Sequence, residues 1–168
     1  MRLYDYELSG NCYKVRFLLH ALGIAYERRA INFFPGREHK SDQFLSEVNP
    51  LGQIPVLEDD GFLLRDAQAI LVYLAEKFGA FLPAGGAARA ETLSWLFWQM
   101  GSAPFLGGGF GHFYAYAPEK IRYAIDRYAM EVKRQMDVLD RQLANNRYVA
   151  GDEYTIADMA AQLQRLSH

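Results

Sequence analysis

The sequence holds a single cysteine, Cys12, in 168 residues. One thiol cannot close an intrachain disulfide, so the chain must rest on a packed core and suits a reducing, cytoplasmic compartment. Charge of either sign is not in excess: 18 Lys and Arg against 20 Asp and Glu leave a formal net charge of -2, with no basic run. That balance excludes a dedicated nucleic-acid binder, whose affinity depends on neutralising phosphates. Long apolar runs are also missing. The longest helix-like stretch, Ala67 to Ala75, is interrupted by Gln68 and falls far short of the ~20 residues that a membrane span needs. Asp5 and Glu7 break the place where the apolar region of a signal peptide would lie. The four histidines show no metal-ligand spacing, so no metal is expected.

What is present is globular material. Hydrophobic residues at 51% and charged ones at 23% allow a core and disfavour disorder. Leu3-Tyr4-Asp5-Tyr6 alternates as a short strand. Ser9-Gly10-Asn11 then offers turn and N-cap chemistry before Val15, Leu18, Leu19 and Leu22, which share one helical face ahead of Gly23. Tyr26 to Phe33 reads as a second strand, parallel to the first through a right-handed crossover. A Pro35-Gly36 loop and a short helix over Ser41 to Glu47 follow, stopped by Asn49-Pro50. Ile54 to Leu57 and Phe62 to Leu64 form a hairpin around Asp59-Asp60-Gly61. Asp66 caps a helix whose Ala67, Ile70, Leu71, Leu74 and Phe78 share a face.

Residues 79–86, with Pro83 and paired glycines, have linker composition. They separate a βαβ-α-ββ-α unit over residues 1–78 from an all-helical unit over 87–168. In the second unit Ile121, Ile125, Tyr128, Val132, Met136, Leu139 and Leu143 recur at spacings of three and four. The GGGFG run at 107–111 has no preceding strand and is a weak nucleotide-loop candidate.

Three motifs in order carry a resemblance: SGNCYKV at 9–15, NPLGQIPVL at 49–57 and RDAQAILVYLAEK at 65–77. With WLFWQM (95–100), HF (112–113), YAIDRY (123–128) and AGDEYTIAD (150–158), the chain resembles the soluble glutathione transferase family over nearly its whole length. It is most similar to bacterial members of the disulfide-reductase-like nu class. The resemblance implies a thioredoxin-like α/β first domain, an all-α second domain, glutathione as cosubstrate and a homodimer.

It also implies roles for particular residues. Ser9 takes the position whose hydroxyl donates to the glutathione sulfur, supported by Asn11; as a bare pattern, Ser9-Gly10-Asn11 is a turn and N-cap. Gln53, Ile54 and a cis Pro55 face the cysteinyl backbone. Lys40 stands where a side chain reaches the glycine carboxylate, or else is a solvated lysine. Asp66 and Ala67 occupy the γ-glutamyl position, where the family usually has an acidic residue and Ser. Arg127 matches an arginine that nu-class relatives direct toward glutathione disulfide, with an i, i+4 pair to Glu131 as its competing partner. His112, with Phe113, Tyr114 and Tyr116, is a candidate for an electrophile pocket, a structural or exposed histidine being the alternative. Aligning Lys14-Val15 with the family's basic-apolar pair puts the sulfur contact at Ser9 and leaves Cys12 as packing, with mixed-disulfide chemistry as the lesser alternative.

Tyr154 to Asp158 reads as a Thr-x-x-Asp capping box opening a central helix. The sequence given ends ten residues later, so the helical domain is expected to be incomplete, with apolar surface uncovered. The leading activity is conjugation of the glutathione thiolate to an apolar electrophile. Glutathione-dependent disulfide reduction and non-catalytic glutathione binding are the two alternatives.

Overall fold

A computed structural model describes residues 1–161, and the chain divides into two compact units between Leu82 and Pro83. The first unit is built on β1 (Arg2–Asp5), α1 (Gly10–Ala21), β2 (Glu27–Ala30), α2 (Asp42–Glu47), β3 (Val56–Asp59), β4 (Phe62–Arg65) and α3 (Ala67–Phe78), with a 3-10 turn at Glu38–Lys40. The four strands lie in the order β2-β1-β3-β4. β1 runs parallel to β2 and antiparallel to β3, and β3 runs antiparallel to β4.

Strand alternation divides the side chains between two faces. Tyr4, Val56 and Leu63 share one face, where they pack with Ile31 and Phe44 of α2. Leu3, Leu57 and Leu64 point to the other, on which α3 packs with α1 against it. Leu18, Leu19, Ile70, Leu71 and Leu74 are fully buried there. This is a thioredoxin-like arrangement. Two charged clusters tie helices and strands together. Asp5, buried at the end of β1, accepts from Arg16 of α1 at 2.5 Å and from Arg28 of β2. Asp59 of β3 accepts from Tyr73 of α3 at 2.7 Å and pairs with Lys77.

Several boundaries differ from the sequence expectation for physical reasons. β2 spans four residues rather than Tyr26 to Phe33, because its ladder with β1 ends where Asp5 meets Ala30. β3 starts at Val56 rather than Ile54, since Pro55 has no N–H to give a ladder. Phe78 is 37% exposed at the last turn of α3 instead of sharing its buried face. Gly23 follows α1 with φ +68°, the left-handed conformation that a glycine accommodates without a Cβ penalty.

The second unit holds α4 (Gly86–Pro104), a π-helical segment (Phe105–Tyr116), α5 (Arg122–Asn145) and α6 (Ile156–Ala161). Among the described residues its only strand-like feature is an isolated bridge between Tyr148 and Gly151. The GGGFG run lies within the π-helical segment and is no loop. Gly109 there is needed for close approach: a Cβ at this position would meet the Tyr128 ring at 2.4 Å. On α5 the apolar stripe buries Val132 and Leu139, whereas Ile121 precedes the helix and is exposed. Leu139, Val149 and Ala161 form a core with Trp95, Trp98, Met136 and Leu143 around it. Among the described residues no helix is long and apolar enough to cross a membrane.

The capping box is formed. Asp158 is buried, and one of its oxygens accepts from Thr155 N at 2.9 Å and from Thr155 Oγ1 at 3.2 Å. The other oxygen accepts from Val149 N at 2.8 Å, so one carboxylate fixes both the start of α6 and the preceding loop. Asp158→Ala strands two buried N–H groups, each lost bond to a charged acceptor costing about 1.5 to 3 kcal/mol. Urea denaturation is therefore expected to show a loss of about 3 kcal/mol, and a loss below about 1 kcal/mol would contradict this role.

Candidate functional site

The sheet register brings three separate chain segments to one end. Tyr4 sits beside Val56, and Val56 beside Arg65. One step beyond these three neighbours come Asp5, the last residue of β1 before its turn, Pro55 ahead of β3, and Asp66 after β4. The motifs at 9–15, 49–57 and 65–77 therefore converge although up to 57 positions separate Ser9 from Asp66 in sequence.

Ser9 caps α1: its backbone is extended, and its Oγ accepts from Cys12 N at 3.3 Å. Accepting this bond does not use the hydroxyl proton, so Ser9 can also donate. The N–H groups of the first turn add the positive end of the helix dipole. Cys12 is fully buried, and burial pushes its thiol pKa up, against the lowering influence of Ser9. A reactive thiolate needs the opposite environment. Asn11 is exposed, and its Oδ1 accepts from Lys14 Nζ at 3.1 Å.

The loop before β3 is organised by Asn49, which is buried. Its Nδ2 donates to Gln53 O at 2.8 Å and its Oδ1 accepts from Leu51 N at 3.0 Å. The Ile54–Pro55 bond is cis. Ile54 lies ahead of the ladders of β3, so its N–H and C=O take no part in the sheet and can pair with an extended peptide. Gly52 has φ +58°, and a Cβ there would meet His39 O and Lys40 Nζ, each at 2.8 Å. That close approach sets the exposed Lys40 over the loop, its Nζ 3.4 Å from Leu51 O.

At the third segment Asp66 holds φ +76° with ψ 125°, a sparsely populated backbone for a residue with a side chain. Its Oδ1 accepts from Gln68 N at 2.9 Å and Ala69 N at 3.0 Å. That oxygen leaves the N–H of Ala67, also in the first turn of α3, to another acceptor. Ala67 is buried and contributes only this backbone donor.

Arg127, His112, Phe113, Tyr114 and Tyr116 belong to the second unit. Arg127 stands 3.8 Å from Glu131, the pair that its i, i+4 spacing allows. Phe113 stacks on Tyr128 with centroids 5.6 Å apart, and His112 meets Phe113 edge-on at 5.2 Å. Tyr114 stacks on Phe110, whereas Tyr116 is largely exposed.

Sequence reasoning missed two residues that build the first-unit site. Asn49 appears in sequence only as a helix stop, yet it is the brace of the cis-proline loop. Lys14 reads as one half of a basic-apolar pair, yet its side chain is almost wholly buried. Its signal was available: the apolar face Val15, Leu18, Leu19, Leu22 includes position 14 at its edge.

Comparison with known proteins assigns the family. Residues 3–83 match the glutathione S-transferase N-terminal domain, and residues 109–162 the glutathione S-transferase C-terminal domain. The disulfide-bond oxidoreductase YghU of Escherichia coli is 61% identical over 126 residues, which cover 71% of this chain and 44% of that protein. Its disulfide-bond oxidoreductase YfcG is 38% identical over 158 residues, 89% of this chain and 72% of that one. A crystal structure of glutathione transferase YghU from Streptococcus pneumoniae, complexed with glutathione, aligns with TM-score 0.88 at 47% identity over 95% of this chain and 64% of the other. The chain spans about half the length of the first curated relatives it matches, 44% and 56%. On these matches and its thioredoxin-like and helical units, the chain belongs to the glutathione S-transferase family.

Proposed function

We propose that this chain binds glutathione at the β1-β3-β4 end of the sheet and uses its thiolate as a nucleophile toward an apolar electrophile. The observation that carries the reading is the convergence of a hydroxyl donor at the start of α1, an unpaired strand segment at Ile54, and a capped helix N-terminus at Ala67. These three match the tripeptide's chemistry. Ser9 holds the sulfur with Asn11 beside it, Ile54 and Gln53 before Pro55 hold the cysteinyl backbone, and Lys40 reaches the glycine carboxylate. Asp66 meets the γ-glutamyl ammonium, and the N–H of Ala67 meets its carboxylate. In conjugation the sulfur lone pair forms the new C–S bond while the leaving group departs with its electron pair. His112, Phe113 and Tyr116 are assigned to the electrophile pocket.

A second reading, disulfide reduction, is favoured by the two Escherichia coli relatives, both disulfide-bond oxidoreductases. There the thiolate attacks one sulfur of a disulfide and expels the other as a thiolate. A second glutathione then resolves the mixed disulfide, leaving glutathione disulfide and two thiols. Arg127 is assigned to a carboxylate of the second tripeptide. Turnover of a general electrophile against that of a model disulfide separates the two chemistries. Saturable glutathione binding without either turnover would leave a binding protein.

Thiolate formation is only part of the rate. Lowering a thiol pKa by ~2 units from ~8.5 raises the thiolate fraction at pH 7 roughly 20-fold, but a Brønsted slope of ~0.45 returns about 8-fold in lost nucleophilicity. Most of the acceleration must come from holding the sulfur against its target. Ser9→Ala removes one charge-assisted hydrogen bond, so the pKa of bound glutathione is expected to rise by about one unit in an ultraviolet titration. The same change removes the cap on Cys12 N and costs about 1 kcal/mol of stability. An unchanged thiol pKa would exclude Ser9 from the chemistry.

Ala67→Ser adds a donor where the γ-glutamyl carboxylate is assigned. A hydrogen bond to a charged group of roughly 1.5 kcal/mol gives about tenfold tighter glutathione binding by calorimetry. Equal or weaker binding would move the γ-glutamyl group elsewhere.

We also propose a cytoplasmic location and a homodimer. Leu51 and Phe62 in the first unit, and Phe97 and Met100 in the second, are exposed apolar side chains suited to burial against a second copy. Light scattering after size exclusion is expected to give a dimer whose melting temperature rises with protein concentration. A sharp monomer peak with a concentration-independent melting temperature contradicts it.

A further inference from the structure

Lys14 poses a physical problem. Its side chain is 2% exposed although it lies only one turn into α1. Withdrawing an ammonium from water costs several kcal/mol unless its protons find acceptors and its charge a counter-charge. A leucine or methionine would fill the same volume without that cost.

Its surroundings indicate what the amine does. Lys14 Nζ donates to Asn11 Oδ1 at 3.1 Å on its own helix. Asp66, at the start of α3, is a charged group that acts on it from another element. The lysine therefore touches the sulfur end of the site through Asn11 and feels the γ-glutamyl end through Asp66. An ammonium has three donors and no acceptor, whereas the two ends of a primary amide are a donor and an acceptor of nearly equal shape. The Asn11 amide facing Lys14 must present its oxygen. Its Nδ2 donors are thereby turned away from the lysine, and Asn11 is exposed.

We propose that Lys14 is a positioning residue of the glutathione site: it locks the Asn11 amide so that Nδ2 donates toward the glutathione sulfur, and its buried charge favours the thiolate. This rests on the assignment of the sulfur to Ser9 and Asn11. Burial draws the amine pKa down to about 8 while Asp66 holds it up. At neutral pH the ammonium prevails, and a modest rise in pH removes it. A neutral amine can accept as well as donate, so the lock on Asn11 is released with the proton.

The coupling is reciprocal: if the ammonium favours the thiolate, the thiolate must favour the ammonium. The Lys14 Nζ resonance is titrated by NMR in the wild-type chain, free and saturated with glutathione or with S-methylglutathione, which keeps both ends of the tripeptide but cannot ionise at sulfur. The pKa of Lys14 is expected to be about one unit higher in the glutathione complex than in the S-methyl complex. Equal values in the two complexes overturn the role of Lys14 while leaving the site intact. No binding of either ligand overturns the site itself, and this role with it.

Lys14→Met, matched in length, gives the second readout. Once circular dichroism shows it folded, the pKa of its bound glutathione is expected to rise by about one unit, with Lys14→Arg restoring part of the shift. A folded Lys14→Met chain with the wild-type thiol pKa contradicts the proposal.

Discussion

The antiparallel pairing of β3 with both β1 and β4 is the constraint on which the rest depends. It sets Tyr4, Val56 and Arg65 side by side, so that the chain leaves β1, enters β3 and leaves β4 at the same end of the sheet. Two of those crossings become helix starts, α1 and α3, and the third becomes the cis-proline loop. A slip of one residue in the first pairing would part Tyr4 from Val56 across the sheet, and one in the second would turn Leu63 away from both and from Phe44. Core packing on both faces thus enforces the register, and the register enforces the site.

Electrostatics then gives that end its character. Two helix N-termini bring N–H groups and the positive ends of two helix dipoles to one place. Ser9 and Asp66 each cap their helix with an oxygen, and both stand at positions assigned to the ligand. On that assignment fold stability and recognition share residues, so a single substitution at Ser9 is expected to act on both. Asp5, with Arg16 and Arg28 about it, pins β1 to α1 and β2 just before the Ser9 turn. The turn is consequently held from both sides.

Much of this was legible in the sequence because it depends on local chemistry. Ser9-Gly10-Asn11, Asp66 and Thr155-Ile156-Ala157-Asp158 carry capping residues in capping positions, and Gly23 stands where α1 stops. The order of strands and helices followed from periodicity. What escaped depends on contacts far apart in sequence or on geometry without a residue signature. Strand limits escaped, because a four-residue ladder ends where its partner ends. The burial of Lys14 escaped, because a lysine at the edge of an apolar helix face reads as exposed until α3 places Asp66 near it. Asn49 read as a helix stop, and its brace to Gln53 exists only once the loop has closed. The π-helical course of Phe105–Tyr116 escaped too, since glycine-rich sequence ordinarily signals a loop.

The central claim is that glutathione seats at this end of the sheet with its sulfur at Ser9. An amide NMR titration of the isotope-labelled chain with glutathione tests it most directly. The account predicts saturable shifts concentrated at Ser9, Gly10 and Asn11, at Gln53 and Ile54, and at Ala67 to Ala69, with the first group shifting less for S-methylglutathione. Shifts that spare these three segments, or that gather elsewhere in the chain, would contradict it.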